Sequence, residues 1–204
     1  LKNELEGIGW FTYETMKRIT QNHPEHDFYF LFDRKYDPEF IFSNNIQPAV
    51  IYPPARHPVL WYVWFEYSVK KALINIKPDI FISPVGYIPL ISNTKTLSVM
   101  HDLNFEHYPE SVSYSARMYY KHFFPRFAKK ATRIATVSEY SKNDISKTYS
   151  ISPGKIDVVY NGGNENFSPV DEHTKKATRL RFTQGCEYFL YIGGMHARKN
   201  VVRL

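Results

Sequence analysis

Short apolar runs alternate with stretches of helical spacing along the chain, and this alternation predicts an α/β fold. Runs rich in aromatic and branched side chains are typical of buried strands. We predict strands over residues 27–32, 48–52, 79–83, 96–100, 133–137, 155–160 and 188–192. Helical spacing predicts helices over residues 9–21, 60–76, 113–130 and 138–149, with Ser138 as an N-cap, and residues 171–183 form a polar helix or tether.

Strands that alternate with helices over about 160 residues favour a Rossmann-like, doubly wound, mostly parallel sheet with helices on both faces. The turn formers of residues 161–169 indicate a linker. We therefore divide the chain into an N-terminal domain (1–160), an interdomain linker (161–186) and the first strand and turn of a second domain (187–204). We expect the second domain to be incomplete in this chain.

The helix predicted over residues 60–76 is amphipathic. Its buried side is predicted to carry Leu60, Val63, Trp64, Tyr67 and Ile74. On the exposed side, Glu66 and Lys70 have the spacing of an i,i+4 ion pair. Trp61 and Trp64 therefore belong to the core or to a membrane-facing surface rather than to a sugar-stacking platform.

The start of the chain lacks an expected strand. Gly7 and Gly9 stand at the mouth of the first helix, where a nucleotide-binding loop normally follows a buried strand. Residues 1–6 are too polar and too short to be that strand. We expect that sequence before Leu1 supplies it, and a single continuously paired sheet built from residues 1–160 would contradict this expectation.

Composition narrows the class of protein. Hydrophobic residues make up 43% of the 204, enough for a sizeable core, and no apolar run reaches the ~18 residues of a membrane span. The single cysteine, Cys186, excludes an internal disulfide and fits a reducing cytoplasm. The net charge of +6 favours an anionic partner. The cations are scattered and form no nucleic-acid motif, so nucleic acid is not predicted as that partner.

Two places carry candidate chemistry. Gly193 and Gly194 follow a predicted strand and precede Arg198, Lys199 and a helix start, an arrangement suited to anions. An ordinary strand-to-helix connection with solvated charges fits these residues equally well. His101 ends another predicted strand, at the edge where α/β sheets bind ligands, although it could also cap that strand by bonding local backbone.

Five short motifs occur in the order seen in family 4 retaining glycosyltransferases. They are Glu-Gly-Ile-Gly (6–9), Ser-Val-Met-His-Asp-Leu (98–103), Thr-Val-Ser-Glu-Tyr-Ser (136–141), Val-Val-Tyr-Asn-Gly with Phe-Ser-Pro (158–162, 167–169), and Tyr-Ile-Gly-Gly with Arg-Lys-Asn (191–194, 198–200). The set spans essentially the whole chain. It most resembles bacterial mannosyltransferase-type members that build surface polysaccharides.

The resemblance implies the N-terminal half of a GT-B fold, in which two Rossmann-like domains hold the acceptor and the nucleotide sugar. The implied function is transfer of a sugar, mannose being one candidate, from a nucleotide-sugar donor to a saccharide or lipid-linked acceptor. The implied location is the cytoplasm, including the inner face of the membrane, and the charge permits peripheral membrane contact. No cofactor and no metal are predicted, because no Asp-x-Asp and no His or Cys cluster with metal-ligand spacing is found.

The resemblance also assigns residues. Lys199 matches the lysine that contacts the donor pyrophosphate, with Arg198 beside it. His101 matches a histidine that reaches the donor sugar, and Gly7 and Gly9 fit a loop that approaches phosphate or acceptor. Gly194 stands where many relatives carry arginine, so that phosphate contact is absent or falls to Arg198.

Alternatives stay open because a fold does not fix a chemistry. The chain could be a non-catalytic nucleotide-sugar-binding fragment, part of an inverting transferase, or part of a sugar-nucleotide epimerase. Two glutamates separated by seven residues, downstream of Leu204, would favour the retaining transferase. We expect residues 1–204 alone to lack transfer activity, because the resemblance places the residues that hold the donor beyond them.

Overall fold

The chain divides into two compact units, Leu1–Asn161 and Gly162–Leu204. The computed structural model describes residues 5–163, 167–193 and 199–203. The two units are considered separately below.

Every described strand of the first unit runs parallel to its neighbours. The strands are β1 (Phe28–Phe32), β2 (Ile46–Val50), β3 (Phe81–Ser83), β4 (Thr96–Val99), β5 (Arg133–Thr136) and β6 (Ile156–Val158). They form a two-stranded sheet, β1-β2, and a four-stranded sheet, β3-β4-β5-β6. The predicted α/β class with parallel strands is confirmed, and the unit is a Rossmann-like half-domain.

The two sheets share an apolar cluster but not a hydrogen-bond ladder. Trp64, Val69 and Leu73 are buried in this cluster, and they pack against Leu31 of β1 and Phe81 of β3. Among the described residues, no strand pairs with both β1 and β3. The strands of residues 1–160 therefore do not form one continuous sheet, and the expected additional strand stays a prediction.

The helices cover the predicted positions with small shifts. They are α1 (Gly7–Asn22), α2 (Pro58–Val63), a π-helical segment (Trp64–Val69), α3 (Lys70–Ile76), α4 (Asn104–His107), α5 (Tyr114–Lys130) and α6 (Glu139–Tyr149). Single 3₁₀ turns lie at Pro38–Phe40, Pro109–Ser111 and Pro153–Lys155. Ser138 is the N-cap of α6, as predicted, because its hydroxyl accepts the Ser141 N–H at 3.1 Å.

The main core lies between α5, α6 and the four-stranded sheet. Phe127, Ile134, Ile145 and Ile156 are each at most 1% exposed and belong to one cluster. Aromatic side chains of α5 extend the cluster, with Tyr119 and Phe123 at 4.5 Å between ring centroids. This packing holds β4, β5 and their following loops in fixed positions.

The predicted buried side of the helix over residues 60–76 is partly wrong. Tyr67 and Ile74 are 60% and 59% exposed, whereas Glu66 is buried. The cause is the π-helical segment, in which each hydrogen bond spans one more residue than in an α-helix and so rotates the following side chains. The Glu66 carboxylate is not paired with Lys70. It accepts the backbone N–H groups of Leu90 (2.7 Å) and Ile91 (3.3 Å).

The second unit contains a helix and little other regular structure among its described residues. Helix α7 (Glu172–Thr183) begins after Asp171, whose carboxylate accepts the Thr174 N–H at 2.6 Å. The strand predicted over residues 188–192 is not formed, and these side chains are exposed. A strand needs a hydrogen-bonded neighbour, and none is found for it among the described residues.

We predict that Glu66→Ala lowers the free energy of unfolding by about 1–3 kcal/mol, because the N–H groups of Leu90 and Ile91 lose a buried carboxylate acceptor. Glu66→Gln should cost less, since an amide oxygen still accepts. Urea denaturation measures both, with Glu110→Ala on an exposed position as control. Equal stability of Glu66→Ala and the control would contradict a structural role for this carboxylate.

Candidate functional site

The carboxyl ends of the four-stranded sheet lie at one edge, because its strands are parallel. The loops after β3, β4 and β5 therefore meet there. In open α/β sheets this edge is the usual place for ligands. The candidate site is built from the side chains of these loops.

His101 stands at the carboxyl end of β4 and is held by two contacts. Its Nε2 lies 3.0 Å from the backbone carbonyl of Pro84, and its ring packs edge-on against Phe11 of α1 at 4.8 Å between centroids. A carbonyl only accepts, so Nε2 carries the proton in this hydrogen bond. In the neutral imidazole, Nδ1 is then a hydrogen-bond acceptor, and no described residue donates a hydrogen bond to it.

The loop after β3, which supplies that carbonyl, is itself fixed. The buried hydroxyl of Ser98 on β4 donates to the carbonyl of Gly86 at 2.9 Å. Gly86 has a φ of +87°, and a Cβ there would lie 3.2 Å from the ring of Phe124. Both facts favour glycine at this position. The backbone contact of His101 is thus part of a rigid turn.

A polar pocket of about 350 Å³ lies beside His101, between the loop after β4 and the start of α6. Its lining consists of hydrogen-bonding groups and two tyrosines: Asp102, Leu103, Asn104, His107, Tyr108, Tyr140, Ser141 and Asp144. The rings of Tyr140 and Tyr108 are 77% and 47% exposed. Carboxylates that accept hydroxyl hydrogens, together with open aromatic faces, suit a polyhydroxylated ligand.

The polar groups of this pocket are oriented by one another. His107 Nε2 lies 2.8 Å and 2.9 Å from the two oxygens of Asp144. The hydroxyl of Tyr149 donates to Glu106 at 2.9 Å and ties α6 to α4. Burial, and then the Glu106 carboxylate, raises the pKa of Tyr149, so it stays a hydrogen-bond donor.

Asp102 is a turn residue. Its carboxylate accepts the backbone N–H of Asn104 at 3.1 Å and the side-chain amide of the same residue at 2.6 Å. These bonds fix the entry to α4. The carboxylate stays at the pocket wall, next in sequence to His101.

Gly7 and Gly9 lie in the first turn of α1 rather than in a loop, which corrects that part of the prediction. The helix begins at Gly7 because the Trp10 N–H already donates to the Glu6 carbonyl at 2.8 Å. The first N–H groups of a helix have no intrahelical partner, and no described side chain caps those of α1. A Cβ at Gly9 would lie 2.9 Å from the end of the Leu5 side chain, so a larger residue there would require Leu5 to shift.

A second, apolar recess lies at the carboxyl ends of β1 and β3. Trp61, Trp64, Phe65 and Tyr87 line it together with Asp33. The tryptophans have core roles, as predicted, and their indole N–H groups donate to backbone carbonyls at 2.9 Å and 3.0 Å. Trp64 and Phe65 are buried, so they are not the exposed aromatics expected for membrane contact.

Asp33 is the charged group of this recess. It accepts hydrogen bonds from the Arg34 guanidinium and, at 2.8 Å, from the Ala55 N–H. The Arg34 bond, aided by Ala55, lowers the pKa of the Asp33 carboxyl and keeps it ionised. The recess thus carries an ionised carboxylate at its rim, paired with Arg34.

The sequence profile of Glycosyltransferase Family 4 matches residues 5–166. The chain belongs to glycosyltransferase family 4. His101, the polar pocket and the first turn of α1 all lie within the matched region, whereas Lys199 lies outside it.

A curated relative points in the same direction. The chain is 29% identical over 145 residues to the O-antigen chain mannosyltransferase RfbU of Salmonella typhimurium (strain LT2). The alignment covers 71% of this chain and 37% of that protein. The chain therefore spans little more than a third of the length of this relative.

The predicted phosphate contacts of this family 4 chain are only partly within the described structure. Lys199 is exposed, and a Cβ at Gly193 would lie 3.0 Å from its Nζ. The ammonium group therefore lies against the glycine backbone of the same unit. Gly194 and Arg198 lie outside the described residues, and their assigned contacts stay predictions.

Sequence reasoning missed the pocket residues His107, Tyr140 and Asp144. The signal for Tyr140 was present, since it lies in the motif of residues 136–141, but that motif was interpreted as capping. Tyr140 and Asp144 are four residues apart on α6, which places them on one helix face. His107 joins them only through the tertiary fold.

The prediction that no metal is used stays a prediction. The structure brings His23, Glu25 and His26 together, with one ligand atom from each within 4.8 Å of the others. The reason is a tight turn after α1, which sequence spacing alone does not reveal. Among the described residues, no helix is both long enough and apolar enough to cross a membrane.

Proposed function

We propose that this chain is part of a retaining GT-B glycosyltransferase of surface polysaccharide synthesis. It transfers a sugar, with mannose as the first candidate, from a nucleotide sugar to a saccharide or lipid-linked acceptor. Family membership supports the reaction class, and the name of the relative supports mannose and a polysaccharide product. The observation that carries the proposal is the polar pocket beside His101.

The pocket takes the acceptor saccharide in this proposal. A sugar ring offers hydroxyl groups that donate to carboxylates and apolar faces that stack on tyrosine. Asp144 and Asp102 supply the acceptors, and the exposed ring of Tyr140 supplies the stacking surface. The pocket volume of about 350 Å³ suits one or two sugar rings.

In this proposal, His101 contacts the donor sugar. Its Nε2–H group donates to the Pro84 carbonyl, so Nδ1 accepts a hydrogen bond from a sugar hydroxyl. Such a bond orients the anomeric carbon toward the acceptor. During transfer, that carbon loses its bond to the diphosphate oxygen and gains one to the acceptor oxygen, through an oxocarbenium-like state.

The departing diphosphate needs positive charge, which we assign to Lys199 and Arg198 of the second unit. The uncapped N-terminus of α1, at Gly7 and Gly9, is the anion-attracting group of the first unit. Chain cations replace a divalent ion in this assignment, because the sequence has no Asp-x-Asp. The glycine at position 194 removes one side chain from the phosphate contacts.

The acceptor class sets the expected location. A lipid-linked acceptor would place the enzyme at the cytoplasmic face of the inner membrane, with peripheral contact through its net charge of +6. Exposed Tyr62 and Tyr67, rather than Trp64, are the aromatics available to such a surface.

The proposal is tested by incubating the active enzyme with a panel of nucleotide sugars and its isolated saccharide acceptor. Retention at the anomeric carbon is read by nuclear magnetic resonance of the product. Product of inverted configuration would support the inverting alternative, and epimerised donor without transfer would support the epimerase. Donor binding without either reaction would support a binding fragment.

We predict that His101→Ala in the active enzyme lowers kcat about 10²-fold, because one oriented contact to the reacting sugar is lost. His122→Ala, an exposed histidine of α5, serves as the matched control. Circular dichroism checks that both variants fold. If the folded His101→Ala variant turns over normally, His101 only caps the strand and does not act on the donor sugar.

We predict that Lys199→Ala lowers kcat about 10²-fold or more, because the leaving diphosphate loses charge stabilisation. Lys199→Arg should retain part of the rate, since it keeps the charge. The exposed Lys77 provides the control, as Lys77→Ala. A turnover number of Lys199→Ala equal to that of the control would remove the assignment.

We predict that Asp144→Ala raises the KM for acceptor about tenfold and leaves the KM for donor unchanged, because a carboxylate that accepts sugar hydroxyl hydrogens is lost from the pocket wall. Asp79→Ala, exposed at the opposite end of β3, is the control. Initial rates at varied acceptor and donor separate the two constants. A change confined to the KM for donor would show that the acceptor does not bind in this pocket.

A further inference from the structure

Residues 23–26, here called the histidine turn, bring three metal-binding side chains together after α1. His23 Nδ1 lies 3.1 Å from Glu25 Oε1, and His26 Nε2 lies 3.6 Å from the same oxygen. One ligand atom from each of the three residues lies within 4.8 Å of the others. The two imidazole rings stack with 5.8 Å between centroids.

These atoms and distances suit a zinc ion. Zn²⁺ binds imidazole nitrogen and carboxylate oxygen at about 2.0–2.2 Å, which puts tetrahedral ligand atoms roughly 3.3 Å apart. The separations of 3.1 Å and 3.6 Å between Glu25 Oε1 and the two histidine nitrogens bracket that value. Three protein ligands leave a fourth position for water, and all three side chains are exposed to solvent.

The backbone of the histidine turn is held in place without a metal. The side-chain amide nitrogen of Asn45 lies 3.1 Å from the carbonyl of Thr20 and 3.0 Å from each of the carbonyls of His23 and His26. The His26 N–H donates to the His23 carbonyl at 3.2 Å, which closes the turn. A fixed backbone reduces the entropy that three ligands lose on binding.

We propose that the histidine turn is a zinc site, formed by His23, Glu25 and His26. The site lies apart from the sugar-transfer residues. Phe11 contacts His101, and His23 follows twelve residues later, about 18 Å further along the helix axis at 1.5 Å per residue. The ion would join the end of α1 to the start of β1, which begins two residues after His26.

Isothermal titration calorimetry of the chelator-treated chain with Zn²⁺ tests this site. We expect one saturable equivalent with micromolar affinity, and no binding of Mg²⁺, which prefers an oxygen-only shell. His26→Ala and Glu25→Gln should each weaken zinc binding at least tenfold. His122→Ala, an exposed histidine outside the turn, should leave it unchanged.

Cobalt substitution gives a second, independent signal, because visible absorption of bound Co²⁺ reports a four-coordinate site with nitrogen and oxygen ligands. Circular dichroism establishes that each variant folds, and Glu25→Gln keeps the size of the side chain where a histidine variant does not. The proposal is overturned if folded wild type shows no saturable zinc binding, or if Glu25→Gln binds zinc as tightly as wild type.

Discussion

The parallel register of β3 to β6 is the constraint on which the candidate site depends. Parallel strands place every carboxyl end at one edge, so residues far apart in sequence become neighbours there. The core between this sheet, α5 and α6 then fixes the loops that follow the strands. Asp102 and Ser138 fix the first residues of the two pocket walls through local turn and cap bonds, and the contact of His107 with Asp144 joins the walls.

The position of His101 shows how backbone geometry can set the chemistry of a side chain. A bond to the Pro84 carbonyl selects the tautomer, and edge-on packing against Phe11 selects the ring plane. His101 can therefore cap the strand and contact a ligand at the same time. One nitrogen bonds local backbone, and that bond leaves the other as a directed acceptor.

Much of the first unit could be predicted from sequence, because its strands are short apolar runs and its helix starts carry recognisable caps. Two failures have physical causes. The π-helical segment changes the residue spacing, so a 3.6-residue period assigns Glu66 and Tyr67 to the wrong sides. The apolar run at 188–192 has the composition of a strand but no neighbouring strand among the described residues to pair with. The pocket was missed because its side chains come from α4 and α6, whose contact is tertiary.

The two ends of α1 illustrate how one helix can serve separate purposes. Its N-terminus has no cap from a described side chain, and its fifth residue, Phe11, touches His101, so changes there alter the candidate site directly. Its C-terminus is anchored through Asn45, which holds three carbonyls around the histidine turn. An ion at the turn would therefore join the end of α1 to the start of β1 without contributing any group to the transfer chemistry.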